Sequence, residues 1–196
     1  LGNKRIADGQ CDFLKGSFLG PKYSDDFLLH FLQENSIIHV ALSEQEIIKK
    51  TAHFLASEKV VGWFQGRLEF GPRALGSRSI LGDARSEKMQ KLINLKIKFR
   101  ESFRPFASSV LSEKAQDYFE IDRESPYMLL TADVKKERRK KISKQERDLY
   151  GIDKLNIVRS EIPAVTHIDY SSRLQTVHKE TNLKYWKLIN TFLKIT

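Results

Sequence analysis

Apolar positions along this chain recur with two periods. In SDDFLLHFLQEN (24–35) and SEQEIIKKTAHFLASEK (43–59) they fall three and four residues apart, the spacing of one face of a helix. Ser24 is placed to cap the first, with Asp25 and Asp26 in its opening turn and Asn35 as a stop. The second opens on a capping box. Ser43 can accept from the amide three residues on while Glu46 reaches back, and Ile47, Ile48, Ala52 and Leu55 then share a face. The same period predicts helices over 86–98, with Met89, Leu92 and Ile93 inward, over a short stretch at EKAQDYF, and over 181–194, where Trp186, Ile189 and Leu193 share a face.

Short apolar, β-rich runs interrupt these helices. VVGWFQ (60–65), RSILG (78–82), FASSVL (106–111) and YMLLTADV (127–134) read as strands. PAVTHIDYSSRLQTV (163–177) reads as one or two more, with a turn at Asp169–Ser172. Strands and helices alternate irregularly, which predicts a mixed α/β arrangement of the α+β class. The glycines and proline of residues 1–22 mark a linker or extended arm, leaving 23–196 as the folded unit.

Composition narrows the picture. A 40% apolar fraction suffices for a core. With Cys11 as the lone cysteine no internal disulfide can form, which fits a reducing, cytoplasmic setting. No apolar run approaches the roughly 20 residues that cross a bilayer, and residues 1–19 lack the apolar centre of a signal peptide, so no membrane association is expected. The net charge of +9 has two sources. KKERRKKISKQER (135–147) holds eight Lys/Arg against two Glu and reads as a solvated basic insertion. Residues 65–105 hold ten Lys/Arg against four acids.

The second source is the informative one. GWFQGRLEFGPRALGSRSILGDAR (62–85) contains Arg67, Arg73, Arg78 and Arg85 among five glycines and a proline, with only Glu69 and Asp83 to balance them. NLKIKFRESFRPFA (94–107) adds Lys96, Lys98, Arg100 and Arg104 against Glu101 alone. Permanent cations beside buried strands cost desolvation unless a negative charge lies among them. Arginine grips phosphate through paired donors and glycine permits close backbone approach, so the composition predicts a phosphate-bearing small-molecule or nucleotide ligand. Neither a P-loop nor a GxGxxG motif is present.

These stretches, with LINLKIKFRESFRPFASSVL and IPAVTHIDYSSRLQTV, resemble in order and spacing the C-terminal region of nodulation-type O-carbamoyltransferases, the family of the tobramycin, cephamycin and novobiocin carbamoyltransferases. The resemblance implies a YrdC-like twisted mixed sheet flanked by helices. It implies a domain that makes carbamoyl adenylate from carbamoyl phosphate and ATP with Mg²⁺. Transfer to a hydroxyl would fall to a separate, iron-bearing N-terminal domain of the actin-like ATPase superfold. By the same resemblance Arg67, Arg73, Arg78, Arg104, Thr166, Arg173 and Gln175 would bind the nucleotide and phosphates, and Lys98, Arg100 and His167 would serve the chemistry. Asp83 and Asp169 are the carboxylates that could meet Mg²⁺, and no metal cluster within this chain is expected.

The sequence departs from the family pattern in places. Ser77 stands where Asn is usual, FASS replaces FAPS, and DYSS replaces DGT. The chain stops at Thr196, before the family's Asn-Thr-Ser-Phe-Asn segment, so a fold truncated at its C-terminus is expected. His30, His39, His53 and His178 show no ligand spacing, Trp63 and Trp186 read as core, and Glu69 reads as an orienter of arginine or substrate. A nucleotide- or RNA-binding module without catalysis is the rival reading. It rests on 135–147, which lacks the interleaved aromatics of single-strand binders, so nucleic acid is not the expected partner.

Overall fold

The computed structural model describes residues 14–196; Cys11 and most of the predicted arm lie outside them. Helix α1 spans Asp25–Glu34 and starts where Ser24 Oγ accepts from the Phe27 amide at 3.2 Å. Helix α2 (Glu44–Ala56) opens on the full capping box: the Ser43 amide donates to Glu46 at 2.9 Å and the Glu46 amide to Ser43 Oγ at 3.3 Å. Strands β1 (Val61–Phe64) and β2 (Arg78–Leu81) pair antiparallel, with Trp63 opposite Ser79. Then come α3 (Met89–Lys96), β3 (Ser108–Leu111), α4 (Ala115–Tyr118), β4 (Leu130–Asp133), the short helices α5 (Lys144–Arg147) and α6 (Gly151–Leu155), β5 (Ser171–Val177) and α7 (Leu183–Ile195). The second sheet runs β3-β5-β4, with β3 parallel and β4 antiparallel to the central β5. The architecture is α+β.

Three buried clusters hold these elements. Ala52 and Leu55 of α2, Trp63 of β1, Val177 of β5, and Tyr185 and Leu188 of α7 form one. Phe119, Ala132, Val134, Ile162, Val165 and Leu174 form another behind β5. Met89, Ile93 and Ala164 fix α3. Leu188 is almost wholly enclosed, so its burial contributes about 2 kcal/mol.

Two sequence expectations are revised. Residues 163–166 are not strand: Pro163–Val165 form a 3₁₀ turn, closed by the Thr166 hydroxyl donating to the Ile162 carbonyl at 2.8 Å. Pro163 has no amide to give a ladder, and the strand begins only at Ser171. On α7 the buried face is Tyr185 and Leu188; Trp186, Ile189 and Leu193 are half-buried beside it. Trp63 is core, whereas Trp186 directs its Nε1 to Glu113 at 3.0 Å. The basic tract is largely exposed, as expected, and three of its cations meet acids of the fold. Arg138 meets Glu161 at 2.8 Å, Arg139 meets Asp133 at 3.1 Å, and Lys140 meets Glu87 at 3.4 Å.

Candidate functional site

The loop between β1 and β2 is wound around one carboxylate. Glu69 is buried, and its Oε1 accepts from the amides of Leu75 (2.9 Å), Ser77 (2.6 Å) and Arg78 (3.2 Å). These are charge-assisted bonds to backbone, the strong kind. Gln175 reaches across from β5 to the Leu75 carbonyl at 3.0 Å, and Gln65 holds the Gly76 carbonyl at 2.8 Å. The outcome is a rigid loop with Pro72-Arg73-Ala74 at its tip. Arg73 is half-buried, and its Nε is enclosed with no hydrogen-bond partner.

A second loop, 97–104, is mounted on Asn94, which is fully buried at the end of α3. Its Nδ2 donates to the carbonyls of Ser102 (3.1 Å) and Arg104 (2.8 Å), and its Oδ1 accepts from Arg100 Nε at 2.7 Å. Arg100 is thereby held by its Nε, with the Phe106 ring 5.1 Å from its guanidinium and neither terminal nitrogen hydrogen-bonded among the described residues. Nothing in the sequence pattern singles out Asn94; its importance comes from a loop that folds back on it.

The cations predicted from sequence sort into three groups. Arg73, Lys98, Arg100 and Arg173 converge on one cleft of about 510 Å³, together with the hydroxyl residues Ser79, Ser108 and Ser109. Among the described residues none of these four is within ion-pair distance of a carboxylate. The acid in the cleft lining is Asp83, which is buried and engaged at both oxygens by Arg85, at 3.0 and 2.7 Å. The second group, Arg104, Thr166 and His167, lines a different cavity of about 680 Å³. There Arg104 pairs with Glu101 at 2.8 Å, and His167 Nδ1 lies 3.3 Å from Asp169. The Ser171 side chain and amide hold the Asp169 carboxyl below its usual range, with His167 adding to the effect. The third group serves the backbone. Arg67 donates to the Gly20 carbonyl at 3.1 Å. Arg78 donates to the carbonyls of Gln65 (2.6 Å), Ser77 (2.9 Å) and Gly66 (3.2 Å) and lies 3.5 Å over the Phe64 ring. Gln175 holds the loop as described.

Residues 52–196 match the family profile described as carbamoyltransferase C-terminus. The chain belongs to the carbamoyltransferase C-terminal family. A Synechocystis protein, sll1178, is 52% identical over 198 residues, covering 100% of this chain and 32% of its own length. The nodulation protein NolNO of Sinorhizobium fredii is 41% identical over 77% of this chain and 20% of itself. The 3'-hydroxymethylcephem-O-carbamoyltransferase of Streptomyces clavuligerus is 36% identical over 70% of this chain and 22% of itself. The chain thus spans between 20% and 32% of the length of these relatives. In this carbamoyltransferase C-terminal chain no helix among the described residues is long and apolar enough to cross a membrane. Nor do three His, Cys, Asp or Glu side chains stand together among them.

Proposed function

We propose that this chain is the carbamoyl-activating part of an O-carbamoyltransferase. The observation that carries the reading is the cleft lined by Arg73, Lys98, Arg100 and Arg173, none of them ion-paired among the described residues, whose one lining carboxylate, Asp83, is engaged by Arg85. Four like charges in one depression repel, and an anion relieves them. ATP and carbamoyl phosphate bring phosphates that match this charge.

The reaction balances as carbamoyl phosphate, ATP and water going to carbamoyl adenylate, phosphate and pyrophosphate. Hydrolytic release of phosphate leaves carbamate. A carbamate oxygen then bonds to the α-phosphorus of ATP, and the bond to the bridging oxygen breaks with its electron pair on pyrophosphate. Charge grows on the leaving group, so cations fixed beforehand stabilise the transition state more than the ground state. Arg100 supplies a guanidinium already oriented by Asn94, Lys98 a point charge beside it, and Arg73 and Arg173 the facing donors. The hydroxyls of Ser79, Ser108 and Ser109 give neutral hydrogen bonds along the cleft. Mg²⁺ would be held mainly by phosphate oxygens, since the Asp83 carboxylate is engaged by Arg85 and Asp169 lies outside the cleft lining. Transfer to a hydroxyl acceptor would belong to the N-terminal part of a longer enzyme. A nucleic-acid role for 135–147 is disfavoured because Arg138, Arg139 and Lys140 are matched to acids of the fold.

The test is calorimetric titration with MgATP, followed by pyrophosphate–ATP exchange with and without carbamoyl phosphate. Saturable ATP binding and carbamoyl-phosphate-dependent exchange are expected, each falling by more than about tenfold in an Arg100→Ala/Arg173→Ala variant. Failure of the folded chain to bind MgATP, or binding unchanged in the variant, refutes the assignment of the cleft.

A further inference from the structure

The larger cavity, of about 680 Å³, lies between α3, the 102–105 turn, the 155–159 segment and the Pro163–Ile168 turn. Its lining shares only Pro105 with that of the cleft. Two features set its chemistry. The first is charge. Arg159 is 5% exposed and sits in its wall. This guanidinium donates to the carbonyls of Lys154, Leu155 (3.5 Å) and Ile157 (2.8 Å), capping α6, yet meets no carboxylate among the described residues. Its hydrogen bonds are satisfied while its charge is not, and burial pushes its pKa down accordingly. Lys88, Lys91 and Lys96 join it in the lining, also without carboxylate partners. The acid of the lining, Glu87, is taken by Lys140. The second feature is apolar wall: Leu92, Leu95 and Phe103 on one side, Leu155 and Ile157 on the other.

We propose that this cavity is a second ligand site, separate from the cleft, for an organic anion with an apolar body. The leucine and phenylalanine walls take the carbon skeleton, and Lys91 and Lys96, backed by the field of Arg159, take the phosphate or carboxylate head. A bare inorganic anion leaves the apolar walls wet. A neutral apolar molecule leaves the cations uncompensated. The site selects for both properties in one molecule. It stands independently of the reading given to the cleft.

The experiment is titration of the chain with 1-naphthyl phosphate, beside inorganic phosphate and 1-naphthol. One-site binding of 1-naphthyl phosphate is expected, with each of the other two weaker by about tenfold or more. A Lys91→Glu/Lys96→Glu variant, altered only on the surface of α3, is expected to lose about tenfold or more, and the Arg100→Ala/Arg173→Ala cleft variant less than about twofold. Circular dichroism establishes that each variant is folded. The proposal is overturned by a folded chain that shows no saturable binding, by unchanged affinity in the lysine variant, or by loss confined to the cleft variant.

Discussion

Glu69 lies in the middle of the arginine-rich run, and its sequence position suggests an ion pair. It instead accepts three backbone amides and shapes the loop that presents Arg73. Arg78, which reads as a phosphate ligand, grips three carbonyls of the same loop. Residue type therefore identifies a region rich in fixed charge, but the folded backbone decides which charges line the cleft and which hold the frame. Tyr185 gives a direct test of this packing. It lies buried against the loop and lines the cleft, and burial pushes its hydroxyl up to about 12 from a usual value near 10. Its folded pKa lies above its unfolded one, so this contribution to stability is complete below pH 10 and is lost as pH rises from there towards 12. Urea denaturation across that window should show wild-type stability falling by up to about 3 kcal/mol more than that of Tyr185→Phe. Parallel curves for the two proteins would contradict a buried, neutral Tyr185.

At the scale of elements, the loop and α7 are fitted to one another. Gly76 has φ +98°, and a Cβ there would lie 2.3 Å from the Tyr185 ring. Gly76→Ala combines an unfavourable backbone region with a clash against a buried ring, and the expected loss is about 3 kcal/mol or more. A shift of the urea midpoint at constant slope measures it, and a loss under about 1 kcal/mol would mean that α7 yields easily. The helices of the fold were readable from sequence where local chemistry specifies them: Ser24, and Ser43 with Glu46, cap as their side chains dictate. The turn at Pro163–Val165 was not, because its apolar residues look like strand and only the bond from Thr166 to Ile162 and the missing amide of Pro163 reveal a turn. On α7 Trp186 and Ile189 do pack against the core as their spacing predicts, but the enclosed positions are their neighbours Tyr185 and Leu188. Helical period gives a stripe, but the partner at Gly76 chooses Tyr185 over Trp186.

Across the whole molecule the net charge of +9 is unevenly compensated. Three of the eight cations of 135–147, Arg138, Arg139 and Lys140, pair with acids of the fold, while Arg73, Lys98, Arg100 and Arg173 form no ion pair among the described residues. The sequence exposed the excess of cations but not this division, since the four come from three segments up to 100 positions apart and meet only when β5 lies beside β3. On the proposed reading such a cleft is a source of instability that an anion would relieve, so ligand and fold would be linked. A species that binds only the folded state raises stability by about 2.7 kcal/mol at a hundredfold excess over its Kd. Inorganic pyrophosphate carries the charge without the nucleoside, and it should raise the thermal midpoint of the wild-type chain by several degrees, roughly as that linkage implies. In Lys98→Ala/Arg173→Ala, which removes two cleft cations whose side chains make no hydrogen bond or ion pair among the described residues, the anion should have little effect, whereas the ligand-free midpoint should equal or exceed that of wild type, because two repelling charges have gone. The two halves of this prediction pull apart any explanation from general damage. A variant that merely folds poorly would start lower, and one that keeps the anion site would still respond.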